Sequence, residues 1–280
     1  MKIFDFRARP RTQIFYRHIY PEIVPELKQY SKVFGFRGKA MDRCIPTTLE
    51  ESVSEMASYD IVRGVISAGN GVTNKEVYDV CKAYQDVYYG LASIDPRQGV
   101  TAAFKRLKTA YNDYNLAGVS LSPYWMGISP TDPRCYPLYA LTEETDRVAL
   151  IASSTHYNTK VSLEISDPML IDRIAVDFPN MKIVIGHAGI GFDTSAITVA
   201  TRHKNVYLEF SGLNPKYLGP EMILAINTVL REQALFGTNF PLVGFEIVET
   251  WRKVIREENA HLFFYENAAR ALNLPRPLAH

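Results

Sequence analysis

The sequence predicts an α/β protein folded as a (β/α)8 TIM barrel, and three observations carry that prediction. Eight short apolar runs alternate with longer amphipathic stretches along the chain. Each helix-like stretch is long enough to cross back over a sheet, which favours parallel strands, and eight such units suggest closure into a barrel. No composition break or Ser/Gly-rich linker divides the 280 residues, so a single domain over 1–280 is expected.

The first strand falls at Lys2–Phe6. The stretch 11–43 is the one irregular insertion, and its aromatic content (Phe15, Tyr16, Tyr20, Tyr30, Phe34, Phe36) argues for a packed excursion. Because it follows a strand it would lie at the C-terminal mouth, as a lid, an oligomer contact or plain packing. Helix-like Thr48–Ala57 leads to a second strand at Asp60–Ser67, Asn74–Gln85 to a third at Val87–Ser93, and Val100–Asn112 to a fourth at Ala117–Leu121. The fifth strand is Val148–Ala152, and Pro168–Phe178 carries the chain to the sixth at Lys182–Gly186. Val206–Phe210 is the seventh, and Pro220–Glu232 precedes the eighth at Ala234–Gly237.

Composition narrows the function classes. With 31 Lys and Arg against 30 Asp and Glu, the net charge of +1 gives no basic excess for nucleic acid or an anionic membrane. No run approaches the roughly 20 apolar residues of a membrane span, and the N-terminus enters a strand with no apolar signal region. Cys44, Cys81 and Cys135 lie far apart in no metal-binding spacing, as expected of reduced thiols in a cytoplasmic protein. No GxSxG elbow or P-loop occurs, which leaves serine-hydrolase and nucleotide-dependent readings without support.

Several blocks carry a family resemblance. They are Ser166-Asp167-Pro168-Met169-Leu170, then Asp177-Phe178-Pro179-Asn180-Met181-Lys182-Ile183-Val184-Ile185-Gly186-His187-Ala188-Gly189, Asn205 to Ser211, Leu235 to Pro241, and Tyr265-Glu266-Asn267-Ala268-Ala269-Arg270. In order and content these resemble the amidohydrolase-related (amidohydrolase-2) family of (β/α)8 barrels, which includes decarboxylases of aromatic and muconate-type acids and lactonases. The first two blocks together resemble the family's fifth helix and sixth strand, ending in its HxG motif, the next two its seventh and eighth strands, and the last its C-terminal helix.

The resemblance implies a metal pocket that this chain has rewritten. Arg7 and Arg9 stand where the family has paired first-strand histidines, Ala152 near its fifth-strand histidine, and Asn239 at its eighth-strand aspartate. Only the sixth-strand histidine, His187, is retained. A guanidinium stays protonated and has no lone pair to give a metal, so no metal or other cofactor is expected. His156, Glu209 and His187 could form a relocated site, but their spacing has no recognised signature.

Arg7 and Arg9 suit bidentate binding of an anion; alternatively they replace the metal's charge and pair with Asp5, Asp95 or Glu209. His187 is the candidate for proton transfer, against a structural role between strands. Ser67, Asn70, Ser93, Asp95, Ser122, Ser153, Ser154, Ser211 and His156 sit at or near other strand ends. Asp95 and Asn70 read first as turn residues, while Tyr124 and Trp125 could stack on a planar substrate or merely pack.

The expected function is that of a metal-independent, decarboxylase- or lactonase-like hydrolase or lyase acting on a small carboxylate-bearing molecule at the barrel mouth, with decarboxylation, lactone opening and hydration or isomerisation all open. Arg7 and Arg9 would hold the anion, His187 would exchange a proton, and Asn239 would orient substrate or water, with Ser67, Tyr124, Trp125, Ser153, His156 and Glu209 around it. The alternatives are a non-catalytic barrel that binds an anionic metabolite or serves as an assembly subunit, and a divergent metal enzyme. A homo-oligomer is compatible with all three.

Overall fold

The computed structural model describes residues 1–16, 43 and 45–275. Eight strands follow one another in a single sheet in chain order, each parallel to the next: β1 (Ile3–Asp5), β2 (Ile61–Ser67), β3 (Tyr88–Ser93), β4 (Gly118–Leu121), β5 (Val148–Ala152), β6 (Lys182–Gly186), β7 (Val206–Glu209) and β8 (Ala234–Leu235). This is the predicted (β/α)8 TIM barrel. Most of the 11–43 insertion and Cys44 lie outside the described residues; of its described part, Gln13–Tyr16 is one short helical turn that buries Phe15 and Tyr16.

The first and last strands are shorter than the sequence suggests because their meeting is irregular. Phe6 N donates to Phe236 O at 2.8 Å, Asn239 N donates to Arg7 O at 3.0 Å, and Ala8 bridges Phe240. Between these bonds the buried Asp5 carboxylate substitutes for backbone acceptors. Its Oδ1 accepts from the amides of Arg7 and Thr238, both at 2.9 Å, and its Oδ2 from the Thr238 hydroxyl at 2.5 Å. A side chain thus joins the β1–β8 seam, and the seam carries Arg7, Arg9 and Asn239.

The crossover helices begin where side chains can satisfy the first free amides. Thr48 and Thr73 form capping boxes with Glu51 and Glu76 at the starts of Leu49–Ala57 and Asn74–Ala83. The helices Tyr136–Glu144 and Asp193–Arg202, which the sequence reading does not single out, complete the crossovers into β5 and β7.

One buried cluster joins strand residues such as Phe4, Val65, Leu91, Leu150, Val184 and Leu235 to Tyr265, Ala268 and Ala269 of the C-terminal helical segment. That segment ends beside the starts of the strands, where Asn273 bonds Lys182 and the Asp146 carbonyl. The packed end therefore lies opposite the strand C-termini. No helix among the described residues is long and apolar enough to cross a membrane.

Candidate active site

At the C-terminal ends of the strands opens a cavity of about 560 Å³. Of the residues given a role in the expected site, Arg7, Arg9, Ser67, Tyr124, Trp125, His187 and Asn239 line it, and so do the strand-end residues Asn70, Ser93, Asp95, Ser122 and Ser154. Ser153, His156 and Glu209 do not. The Ser153 hydroxyl is buried and donates to Ser166 O at 2.8 Å. His156 lies behind Tyr124, its ring stacked at 5.1 Å and 19°. Among the described residues neither His156 nitrogen has a hydrogen-bond partner within bonding distance, and burial lowers its pKa.

Glu209 is fully buried beneath the pocket, where it holds two of the cavity's components. Its Oε2 accepts from the His187 amide at 3.3 Å and faces Arg7 Nη2 at 3.4 Å, while Oε1 accepts from Ser211 N at 2.9 Å. Room for this carboxylate comes from Gly237, where a Cβ would lie 2.5 Å from Glu209 Oε1. Of the three partners proposed for Arg7 and Arg9, Glu209 is the one that reaches either of their guanidiniums among the described residues. Asp5 is occupied at the seam, and Asp95 pairs with Arg97 at 2.7 Å. Asp95 also takes the Arg97 amide at 3.0 Å, the turn role the sequence suggests.

His187 begins a turn of three residues with positive φ, at 57°, 49° and 67° for His187, Ala188 and Gly189. The first two are conformations that L-residues adopt at a cost, and the amide bond to Glu209 helps fix the turn. The ring's partners define its tautomer. Nδ1 lies 2.9 Å from the Ser211 carbonyl, which can only accept, and Nε2 lies 3.3 Å from Arg7 Nη1, which can only donate. The proton therefore sits on Nδ1 and the lone pair on Nε2. Burial, and then the Arg7 charge, push the His187 pKa down to about 4, so the ring is neutral at pH 7.

Two residues along the chain, Arg9 meets different company. Its Nη1 donates to Asn239 Oδ1 at 2.8 Å, a neutral acceptor. Burial, and secondarily Arg7, lower the Arg9 pKa to about 10, which leaves it protonated at pH 7. Arg7 is matched by Glu209 and Arg97 by Asp95, so Arg9 is the cavity-lining guanidinium without a carboxylate partner among the described residues. Asp5, beneath it, is raised to about 6 by burial despite its three hydrogen bonds.

Sequence reasoning names Asp5 only as a partner for arginine and misses its place at the seam. The signal was present, since a lone carboxylate in an apolar strand must find donors when buried. It also leaves out Thr238, Gly237 and Arg97, which act through neighbours that only the fold supplies. Among the described residues, no group of three His, Cys, Asp or Glu side chains is placed to hold a metal ion, and that includes His156, His187 and Glu209.

The family model described as amidohydrolase matches residues 36–274. No curated protein sequence matches the chain. Among solved structures, an uncharacterised TIM-barrel protein from Bordetella bronchiseptica is 27% identical, covering 98% of this chain and 99% of that one, with a TM-score of 0.84. The 5-carboxyvanillate decarboxylase of Sphingomonas paucimobilis is 15% identical over 98% of this chain and 99% of its own, with a TM-score of 0.71. A dihydroxybenzoic acid decarboxylase from Polaromonas, solved with manganese and the inhibitor 2-nitroresorcinol, is 13% identical over 99% and 98%, with a TM-score of 0.72. At these last two identities the likeness is one of fold.

Proposed function

The chain belongs to the amidohydrolase family, a hydrolase or lyase in kind, and from that premise we propose that it acts without a metal on a small carboxylate-bearing molecule bound at the barrel mouth. The observation that carries this reading is Arg9, a charged fork at the cavity wall whose protein partner is the neutral Asn239 Oδ1. A carboxylate there accepts charge-assisted hydrogen bonds from Arg9 and from Arg7 beside it. Arg7 adds donors more than net charge, because Glu209 already balances it.

The manganese of the Polaromonas protein has no fitting donor set here. A divalent ion needs several converging anionic or imidazole donors. The first strand instead presents two guanidiniums to the cavity, and the β8 position offers a neutral amide. No step is therefore assigned to a metal.

His187 is the proposed proton-transfer group, and its resting state decides the direction. With the lone pair on Nε2 and the ring neutral, it takes a proton from a substrate carbon or from water more readily than it gives one. Burial is the main reason the His187 pKa is low and the Arg7 charge the second; a carboxylate bound at Arg7 offsets the second, so the ring becomes a stronger base when substrate is present. This favours reactions whose first proton step is abstraction from water or carbon, such as lactone opening or an isomerisation in which the same ring then returns the proton, over decarboxylation, whose single proton step is delivery to carbon. Asn239 orients Arg9, and the developing negative charge falls on the guanidiniums.

Calorimetric titration of small carboxylates against the wild type and Arg9→Gln tests the reading. A charged hydrogen bond of about 1.5–3 kcal/mol makes the variant bind roughly ten- to a hundred-fold more weakly. Equal affinity for a carboxylate and its uncharged amide in the wild type would overturn the proposal.

A further inference from the structure

The cavity has two chemically distinct halves. Arg7, Arg9, His187 and Asn239 come from the segments that follow β1, β6 and β8. On the other side, four consecutive strands contribute hydroxyls. Ser67 ends β2, Ser93 ends β3, Ser120 lies in β4 with Ser122 just beyond it, and Ser154 follows β5. Ser93 and Ser120 are direct register partners, so their side chains emerge side by side.

Among the described residues, none of these five side chains has a hydrogen-bond partner. Ser153 makes the contrast, because its hydroxyl is spent on the Ser166 carbonyl at 2.8 Å and it stays out of the cavity. Five hydroxyls along one wall supply alternating donors and acceptors at neutral charge. A ligand presenting only C–H and ring edges would strip water from them and leave them unmatched, and a site built to bond hydroxyls discriminates against analogues lacking them.

We infer that the ligand is a polyhydroxylated monocarboxylic acid or its lactone, with its carboxyl or carbonyl end at Arg9 and its hydroxyl-bearing carbons along the serine wall. The inference rests on the anion reading of Arg9. The charge count supports the monoanionic acid, because the Arg7–Glu209 and Arg97–Asp95 pairs each sum to zero and leave Arg9 to be matched, whereas the neutral lactone meets Arg9 through its carbonyl oxygen alone. The Tyr124 ring, stacked on His156, provides a flat surface for the C–H face of such a molecule.

The test is calorimetric titration of a panel of five- and six-carbon aldonates and their lactones, with benzoate as the aromatic acid of equal charge. The proteins are the wild type, Ser93→Ala/Ser120→Ala and Arg9→Gln, each checked for folding by circular dichroism and thermal melting. At least one aldonate or lactone is expected to bind tenfold or more tightly than benzoate. The double serine variant is expected to erase that preference without weakening benzoate, and Arg9→Gln to weaken both acids. If benzoate binds as tightly as every panel member and depends on Arg9, the polyol inference fails while the anion reading stands. If binding of every acid is absent or indifferent to Arg9→Gln, both fail.

Discussion

Arg9 Nη1 donates to Asn239 Oδ1 at 2.8 Å, so the guanidinium that faces the cavity ends on a neutral amide. The family resemblance places an aspartate at the Asn239 position. A carboxylate there would neutralise Arg9, and the amide keeps its charge available to a ligand.

Asn239→Asp is therefore expected to weaken carboxylate binding by about tenfold or more, the scale of one charge-assisted bond. The change is nearly isosteric, and Asp tolerates the φ of 60° that Asn239 adopts. Titration of one carboxylate against both proteins checks it, and unchanged affinity would show that Arg9 is not the anion's anchor.

Glu209→Gln should move stability and binding in opposite directions. Losing the carboxylate leaves Arg7 without its anionic partner, and breaking such a buried pair costs about 3 kcal/mol or more. The freed Arg7 charge should tighten binding of a carboxylate. Denaturant unfolding and ligand titration on the same preparation read the two effects, and a loss of both would assign Glu209 a purely architectural role.

His187→Asn tests the proton-transfer role in a residue type that accepts the backbone's positive φ. With a substrate in hand, kcat should fall about 10²–10⁴-fold with a smaller change in KM. The pH dependence of stability gives a second reading. His187 is depressed from 6.5 to about 4, so its contribution is full above pH 6.5 and is lost as the pH falls through 4. Asp5 is raised from 3.8 to about 6, so its contribution is full below 3.8 and is lost as the pH rises through 6. The two oppose each other between pH 4 and 6. In the variant Asp5 acts without that opposition, and stability relative to wild type should rise steadily from pH 6.5 to 4 in urea unfolding. Parallel curves would contradict the assignment.

Gly237→Ala puts a methyl group 2.5 Å from Glu209 Oε1 and 2.9 Å from Ser211 Cβ. Overpacking of this kind costs about 1–3 kcal/mol. A lowered midpoint in thermal unfolding, with weaker carboxylate binding as Arg7 and His187 shift, is the expected result.

Much of this barrel was legible because each strand announces itself locally. Val148–Ala152 and Lys182–Gly186 have the predicted bounds, as continuous apolar runs between turn residues. The helix Tyr136–Glu144 was harder to read, since its apolar residues do not fall on one clear stripe. Asp193–Arg202 carries three Thr together with Ile197 and Val199, β-branched residues that are indifferent helix formers. In the site, Arg7, Arg9, His187 and Asn239 stand at strand ends and could be read singly. That Glu209 serves Arg7 while Asp5 serves backbone amides depends on which strand ends meet, and residues more than 200 positions apart carry no local sign of it.

The most direct measurement is metal content per chain by elemental mass spectrometry, on protein purified without chelator and again after incubation with manganese or zinc and desalting. Two guanidiniums at the first strand and an amide at the last predict near-zero metal in both samples, with carboxylate binding retained and dependent on Arg9. One metal ion per chain, lost together with carboxylate binding on chelation, would contradict that account and return the pocket to metal-assisted chemistry.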